Sequence, residues 1–198
     1  PAPIRPKPSR SFAGRTYAVA SSDDSIDSCA RLGAAMVMFA DRSWKSRLPS
    51  IEQWRELHQK YNDSPPPIPL VCDFIYCHED AAVAQARAEE HLSIYLASVL
   101  SHYEIMGDHF ADLKGYDAYA KASGALNKMG DAGFLSGFLQ ATAYGTPEQI
   151  IDKLTERRAL IGDFEFAPAF RFGGLPQDQA VASMELFAAE VLPTLHTW

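Results

Sequence analysis

The sequence predicts an α/β fold built from parallel βα units. Three observations carry this. Apolar runs rich in strand formers recur along the chain, at Thr16–Ala20, Ala35–Ala40, Leu70–Tyr76 and Phe164–Phe172. Helical patterns separate them. Two of the runs, AMVMFA and LVCDFIY, are apolar at nearly every position, as strands buried on both faces are. Right-handed crossovers between such strands give either an open doubly wound sheet or an arc of a barrel. Four strands are few for a closed eight-stranded barrel, which takes about 250 residues.

The elements follow in order. Pro1, Pro3, Pro6 and Pro8 force an extended path, so residues 1–14 read as an arm, with an interior-connector character. TYAVA is the first strand. The turn Ser21-Ser22-Asp23-Asp24-Ser25 caps a first helix that Gly33 closes. After the second strand, Ile51, Trp54, Leu57 and His58 fall at helical spacing. Four prolines between Asn62 and Pro69 make a connector, and the third strand follows. His78-Glu79-Asp80 opens a long alanine-rich helix over about 80–104. Residues 105–137 carry six glycines and read as a helical insertion, of the kind that roofs a site. Thr146 and Pro147 start a helix that Gly162 ends. The fourth strand and a final helix over Gln177–Leu192 complete the chain.

Composition narrows function. Hydrophobic residues are 47% and charged residues 22%, a globular balance. With 18 basic and 25 acidic residues the net charge is -7, against a nucleic-acid partner. No apolar run approaches the roughly 20 residues that cross a bilayer, and no membrane partner is expected. Three cysteines do not make a disulfide framework, which suits a reducing, cytoplasmic compartment. Motifs for hydrolases, P-loop proteins, zincins and dinucleotide-binding folds are missing: G-x-S-x-G, G-x-x-x-x-G-K-[ST], H-E-x-x-H and G-x-G-x-x-G.

Chemistry can sit in few places. The Ser21–Ser25 turn joins a strand end to a helix N-terminus, where unpaired N–H groups and the positive dipole end favour an anion. Its plain alternative is an N-cap with Asp23 and Asp24 in the first turn. Cys72, Cys77, His78, Glu79 and Asp80 lack ligand spacing, so no metal is expected. Phe39 and Trp44, after the second strand, are candidates to line an apolar substrate pocket, with His78 and Arg171 after the third and fourth. Arg171 needs an anionic partner, either a ligand or an internal carboxylate such as Glu165 or Asp163.

The C-terminal third carries a resemblance. AYGTPEQIIDKL, followed by FRFGGLPQDQAVASMELFAAEVLPTL, resembles the closing segment of the bacterial-luciferase-like flavin-dependent monooxygenases. Gly145–Gln149 opens the penultimate helix, Phe172–Pro176 follows the last strand, and Phe187–Pro193 closes the last helix. TYAVASSDDSIDSCARLGAAMVMFA resembles that family's strand and phosphate-loop unit. The resemblance implies that residues 15–198 are the C-terminal half of a (β/α)₈ barrel, with strands like the fifth to eighth. It implies that Ser21, Ser22 and Ser25 contact the phosphate of flavin mononucleotide (FMN). It implies an enzyme that uses reduced FMN, supplied by a flavin reductase, and O₂ to oxygenate an apolar organic substrate. Two alternatives accompany it: a flavin-binding protein without turnover, and an oxidoreductase using the deazaflavin coenzyme F420. The incomplete barrel implies a partner, either the N-terminal half or further copies of the chain in a homo-oligomer.

Overall fold

The computed structural model describes residues 5–103 and 133–198. The elements are β1 (Tyr17–Val19), α1 (Asp23–Arg31), β2 (Ala35–Phe39), α2 (Trp44–Tyr61), β3 (Leu70–Phe74), α3 (Ala81–Tyr103), α4 (133–141), α5 (Pro147–Ile161), β4 (Glu165–Ala169), α6 (Gln177–Leu186), a π-helical turn (Phe187–Val191) and α7 (Leu192–Leu195). The insertion expected over 105–137 lies outside the described residues except for the start of α4.

All four strands are parallel, in the order β1-β2-β3-β4. This order separates the two architectures that the sequence left open. A doubly wound sheet reverses direction at a switch point. Here every crossover steps the same way, so right-handed connections send their helices to one side. The protein is an arc of parallel βα barrel. On the outer side α1 packs on α2, α2 on α5, and α5 on the π-helical turn.

The outer face of the sheet presents Ala18, Met36, Met38, Val71 and Phe166 to Ile26, Cys29, Ala30, Trp44, Ile51 and Trp54. A second outer cluster joins Ile75 and Cys77 to Ile150, Leu154, Phe187 and Val191. The register puts Tyr17, Val19, Ala35, Val37, Phe39, Leu70, Cys72, Phe74, Glu165, Ala167 and Ala169 on the other, concave face. At its C-terminal rim Phe74 meets Tyr95 of α3, Phe138 of α4 and Phe172, with ring centroids 4.6–6.2 Å apart. Helices α3 and α4 therefore overhang the rim beside β3 and β4.

Three local features differ from the sequence expectation, each for a backbone reason. Helix α2 begins at Trp44, seven residues before Ile51, although Pro49 lies inside it. Pro49 cannot donate to the Lys45 carbonyl, but Lys45 and Pro49 are exposed in the opening turns, where the loss is cheap. Arg47 holds this start against the β2 end, donating to the Phe39 carbonyl (2.6 Å) and pairing with Asp41. The last helix runs through Leu192 to Leu195 but is not α-helical throughout. Pro193 lacks an N–H and would crowd the carbonyl of Ala189, and the chain widens into a π turn just before it, with Leu192 N–H donating to the Phe187 carbonyl. The fourth strand is shorter than Phe164–Phe172, because residues 170–172 leave the ladder and turn at Gly173-Gly174.

Gly173 has φ +50°, and its carbonyl oxygen lies 2.9 Å from Nδ1 of buried His91 on α3. A Cβ there would sit 1.7 Å from the His91 carbonyl oxygen. Gly174, at φ +73°, has open space around the same position. Gly173→Ala is therefore expected to cost at least about 2 kcal/mol, and Gly174→Ala about 1 kcal/mol. Urea unfolding of the two variants checks this; equal losses would contradict the close approach.

Candidate functional site

The C-terminal strand ends form the rim where barrel enzymes build their sites. The Ser21–Ser25 turn leaves β1 at this rim, Phe39 ends β2, His78 follows β3, and Arg171 follows β4.

The serine turn is a closed cap. Ser22 Oγ accepts from Ser25 N (3.4 Å), and Ser25 Oγ accepts from the amides of Ser21 and Ser22 (3.0 Å each). Ser25 Oγ donates to the Ser22 carbonyl (2.8 Å). This is a reciprocal capping box whose second partner is serine. The first-turn amides of Asp23 and Asp24 have no partner within the helix. Ser21, Asp23 and Asp24 are exposed, while Ser22 and Ser25 are half-buried. The turn thus offers small hydroxyls and first-turn amides on the rim, which fits a phosphate. The two carboxylates occupy the same positive helix end.

Phe39 is 47% exposed on the concave face. His78 is half-buried; its Nδ1 accepts from Asp80 N (2.9 Å), and its ring stacks on Tyr76 with centroids 6.4 Å apart. It borders a cavity of about 450 Å³ with Tyr76, Val83, Arg87 and Ser183. Asp80 caps α3 by accepting from Ala82 N and Val83 N (2.8 and 3.1 Å), and these bonds hold its carboxyl below the usual range. Cys77 is buried, which pushes its thiol up to about 12. Its N–H donates to Ser183 Oγ (2.8 Å), tying α6 to the end of β3. Among the described residues no group of acidic, histidine and cysteine side chains could hold a metal ion. No described helix is long and apolar enough to cross a membrane.

Two candidates sit differently from expectation. Arg171 is exposed and makes no ion pair with either expected carboxylate. Asp163 accepts from Arg158 (2.7 Å) and Glu165 accepts from Tyr17 OH (2.8 Å). Because β4 ends at Ala169, Arg171 lies in the turn rather than in the apolar ladder, and needs no internal partner. Trp44 is buried in the outer layer, not beside Phe39. Its Nε1 donates to the Ala141 carbonyl (3.1 Å), and the Arg157 guanidinium lies over its ring at 4.4 Å. It borders an outer cavity of about 730 Å³ with Lys45, Lys153, Arg157 and Leu160.

A buried ion pair outside the sequence-predicted residues, Asp73 with Arg157, stands behind the rim. Asp73, on the outer face of β3, accepts from Arg157 Nη2 (2.7 Å) and Ala143 N (3.1 Å). Arg157 also donates to the Ala141 carbonyl (2.9 Å), and Lys153 donates to the carbonyls of Thr142 and Tyr144 (3.3 and 3.1 Å). These side chains pin residues 141–144, the return from α4, to the sheet. The signal was an aspartate in the middle of LVCDFIY, which in an apolar run requires a buried cation.

Burial outweighs Arg157 and raises the Asp73 carboxyl from 3.8 to about 6. The folded state therefore holds this proton more tightly than the unfolded chain. The contribution of Asp73 to stability is complete below about pH 4 and is lost as pH rises through 6. Arg157→Met, which strands the carboxylate, is expected to cost about 3–5 kcal/mol at pH 7.5 and clearly less at pH 5, where Asp73 takes up a proton. Urea unfolding at the two pH values reads the difference. An equal loss at both would remove Asp73 as the cause.

No family model and no curated protein matches this chain. Solved structures do. Monooxygenase RslO1 from Streptomyces bottropensis aligns with TM-score 0.57 and 15% identity, over 89% of this chain and 46% of its own. The oxygenating constituent of 3,6-diketocamphane monooxygenase from Pseudomonas putida, in complex with FMN, aligns with TM-score 0.59 and 15% identity, over 89% and 47%. The coenzyme F420-dependent tetrahydromethanopterin reductase from Methanopyrus kandleri aligns with TM-score 0.55 and 14% identity, over 90% and 50%. The chain spans about half the length of each. At these identities the likeness is one of fold: the βα-barrel arc expected from the luciferase-like resemblance is the arc that these oxidoreductases contain.

Proposed function

We propose that this chain is half of a flavin-dependent oxidoreductase of the luciferase-like kind, acting as a monooxygenase on an apolar organic substrate with reduced FMN and O₂. The observation that carries the reading is the place of the Ser21–Ser25 turn. It puts first-turn amides and small hydroxyls on the C-terminal rim of a barrel arc, where a phosphate-bearing cofactor is held in such folds. One of the aligned structures is itself an FMN complex.

In this reading Ser21, Ser22, Ser25 and the amides of Asp23 and Asp24 hold the phosphate, with the two carboxylates turned to solvent. The flavin ring, when bound, supplies the redox chemistry. The chain's own residues orient it and keep water away. Phe39 and Phe74 give the concave face an apolar rim, and α3 and α4 overhang it. His78 and Arg171 stand beside the rim as polar groups within reach of a substrate. A separate flavin reductase delivers reduced FMN, and a second half-barrel, from an N-terminal half or another copy, completes the chamber. F420 is the second reading, favoured by the F420-dependent reductase among the aligned structures. It uses the same rim and a phosphate-bearing deazaflavin.

Ser22→Asp tests the assignment. Aspartate caps a helix as well as serine does, so α1 persists. The added charge opposes a phosphate there and leaves ring contacts alone. Titrated against the wild type, the variant is expected to bind FMN at least about tenfold more weakly and riboflavin equally well. Equal losses for both ligands would overturn the phosphate assignment.

A further inference from the structure

Away from the rim, one cleft gathers positive charge. It lies in the outer layer between the start of α2 and α5, with a volume of about 730 Å³. A cleft of that size takes a small organic ligand. Lys45, Lys153 and Arg157 line it against one carboxylate, Glu156. This balance runs against the chain as a whole, whose net charge is -7.

Two cations are withdrawn from water here, and one carboxylate is buried with them. Arg157 is 3% exposed, and Asp73 behind it accepts from its Nη2. The Arg157 Nε and Nη1 are buried and have no partner. Lys153 stands one turn earlier on α5 and is half-buried. Its ammonium donates to the Thr142 and Tyr144 carbonyls (3.3 and 3.1 Å) and lies 3.8 Å from the centre of the Tyr144 ring. None of these neighbours carries a full charge, and one of its three donors remains unused. Among the described residues no carboxylate lies within 4 Å of the Lys153 ammonium, and exposed Glu156 pairs with neither cation. Burial holds this ammonium below the usual lysine range, and Asp73 offsets only part of the effect. A partly buried cation without a counter-ion is costly, and a bound anion would lower that cost.

The N-terminus of α2 borders the same cleft through Ser43, Trp44 and Lys45. Helices α1 and α5 close their first turns with capping boxes, whereas Ser43 makes no side-chain cap bond. The amides of Trp44 and Lys45 have no partner within the helix, and the positive dipole end favours negative charge. Trp44, Ala141 and Leu160 supply an apolar wall.

We propose that this outer cleft binds a small organic anion. Its phosphate or carboxylate head meets the Lys153 ammonium in the field of Lys45 and the α2 N-terminus, and its apolar body lies along Trp44 and Leu160. The site is on the helix side of the sheet, apart from the Ser21–Ser25 turn, and does not depend on the flavin reading.

Isothermal titration of the whole chain tests it with phenyl phosphate, benzoate and uncharged benzyl alcohol. Binding of at least one of the two anions at millimolar concentration is expected, and none of the alcohol; which anion binds identifies the head group. Lys153→Met should weaken that binding at least about tenfold, and Lys153→Arg, which keeps the charge, should retain most of it. Lys45→Glu changes an exposed position, so circular dichroism should stay folded while binding falls about threefold or more. Lys60→Met removes a charge about 24 Å away along α2 and should change nothing. A wild type that binds neither anion would overturn the proposal. So would binding that Lys153→Met and Lys45→Glu leave intact, or that Lys60→Met weakens equally. The Ser22→Asp variant separates the two sites. Anion binding lost in Ser22→Asp but kept in Lys153→Met removes this inference alone. Anion binding that needs Lys153, in a chain that binds no FMN, removes the flavin reading alone.

Discussion

Consecutive parallel pairing with right-handed crossovers decides most of what this protein is. Each unit steps the sheet in one direction and sends its helix to the outer side. Every second strand residue is then committed to the helix layer, and its neighbour to the concave side. Met36, Met38 and Val71 are buried because helices cover them. Val19 and Phe39, equally apolar, stay open because no described helix of this chain reaches them. The same constraint aligns all strand ends, so the Ser21–Ser25 cap, Phe39, His78 and Arg171 share one rim although they span 150 residues of sequence.

The outer layer also sets the rim. Asp73 and Arg157 form a pair whose burial costs more than the attraction returns on the carboxylate side, as the raised Asp73 carboxyl shows. Its geometric consequence is definite. Together with Trp44 and Lys153 it fixes residues 141–144. Those residues position Gly145, which bridges to Cys77 at the end of β3. A contact network on the helix side thereby places the return of α4 over the rim.

The sequence displayed the repeating unit well because strand burial and helix capping are local signals. Thr146-Pro147 and Ser22 cap the helices they were expected to cap, each with a reciprocal serine or glutamine. What it hid was tertiary. Whether an aromatic such as Trp44 faces the pocket or the helix layer depends on the turn between β2 and α2. Arg171 follows an apolar run, but the strand ends two residues earlier, at Ala169. The partner of Asp73 lies 84 residues away, and nothing local points to Arg157. The strand order itself, which makes the sheet a barrel arc, needs the pairing of all four strands at once.

The central claim is that the working surface is the C-terminal rim of a barrel arc. Amide hydrogen exchange with and without FMN tests it most directly. Protection on binding is predicted at residues 21–26 and at the strand ends near Phe39, Phe74 and Phe170, with no change at the opposite ends near Tyr17, Leu70 and Glu165. Protection confined to those opposite ends, or to the outer cavity beside Lys153 and Arg157, would contradict it.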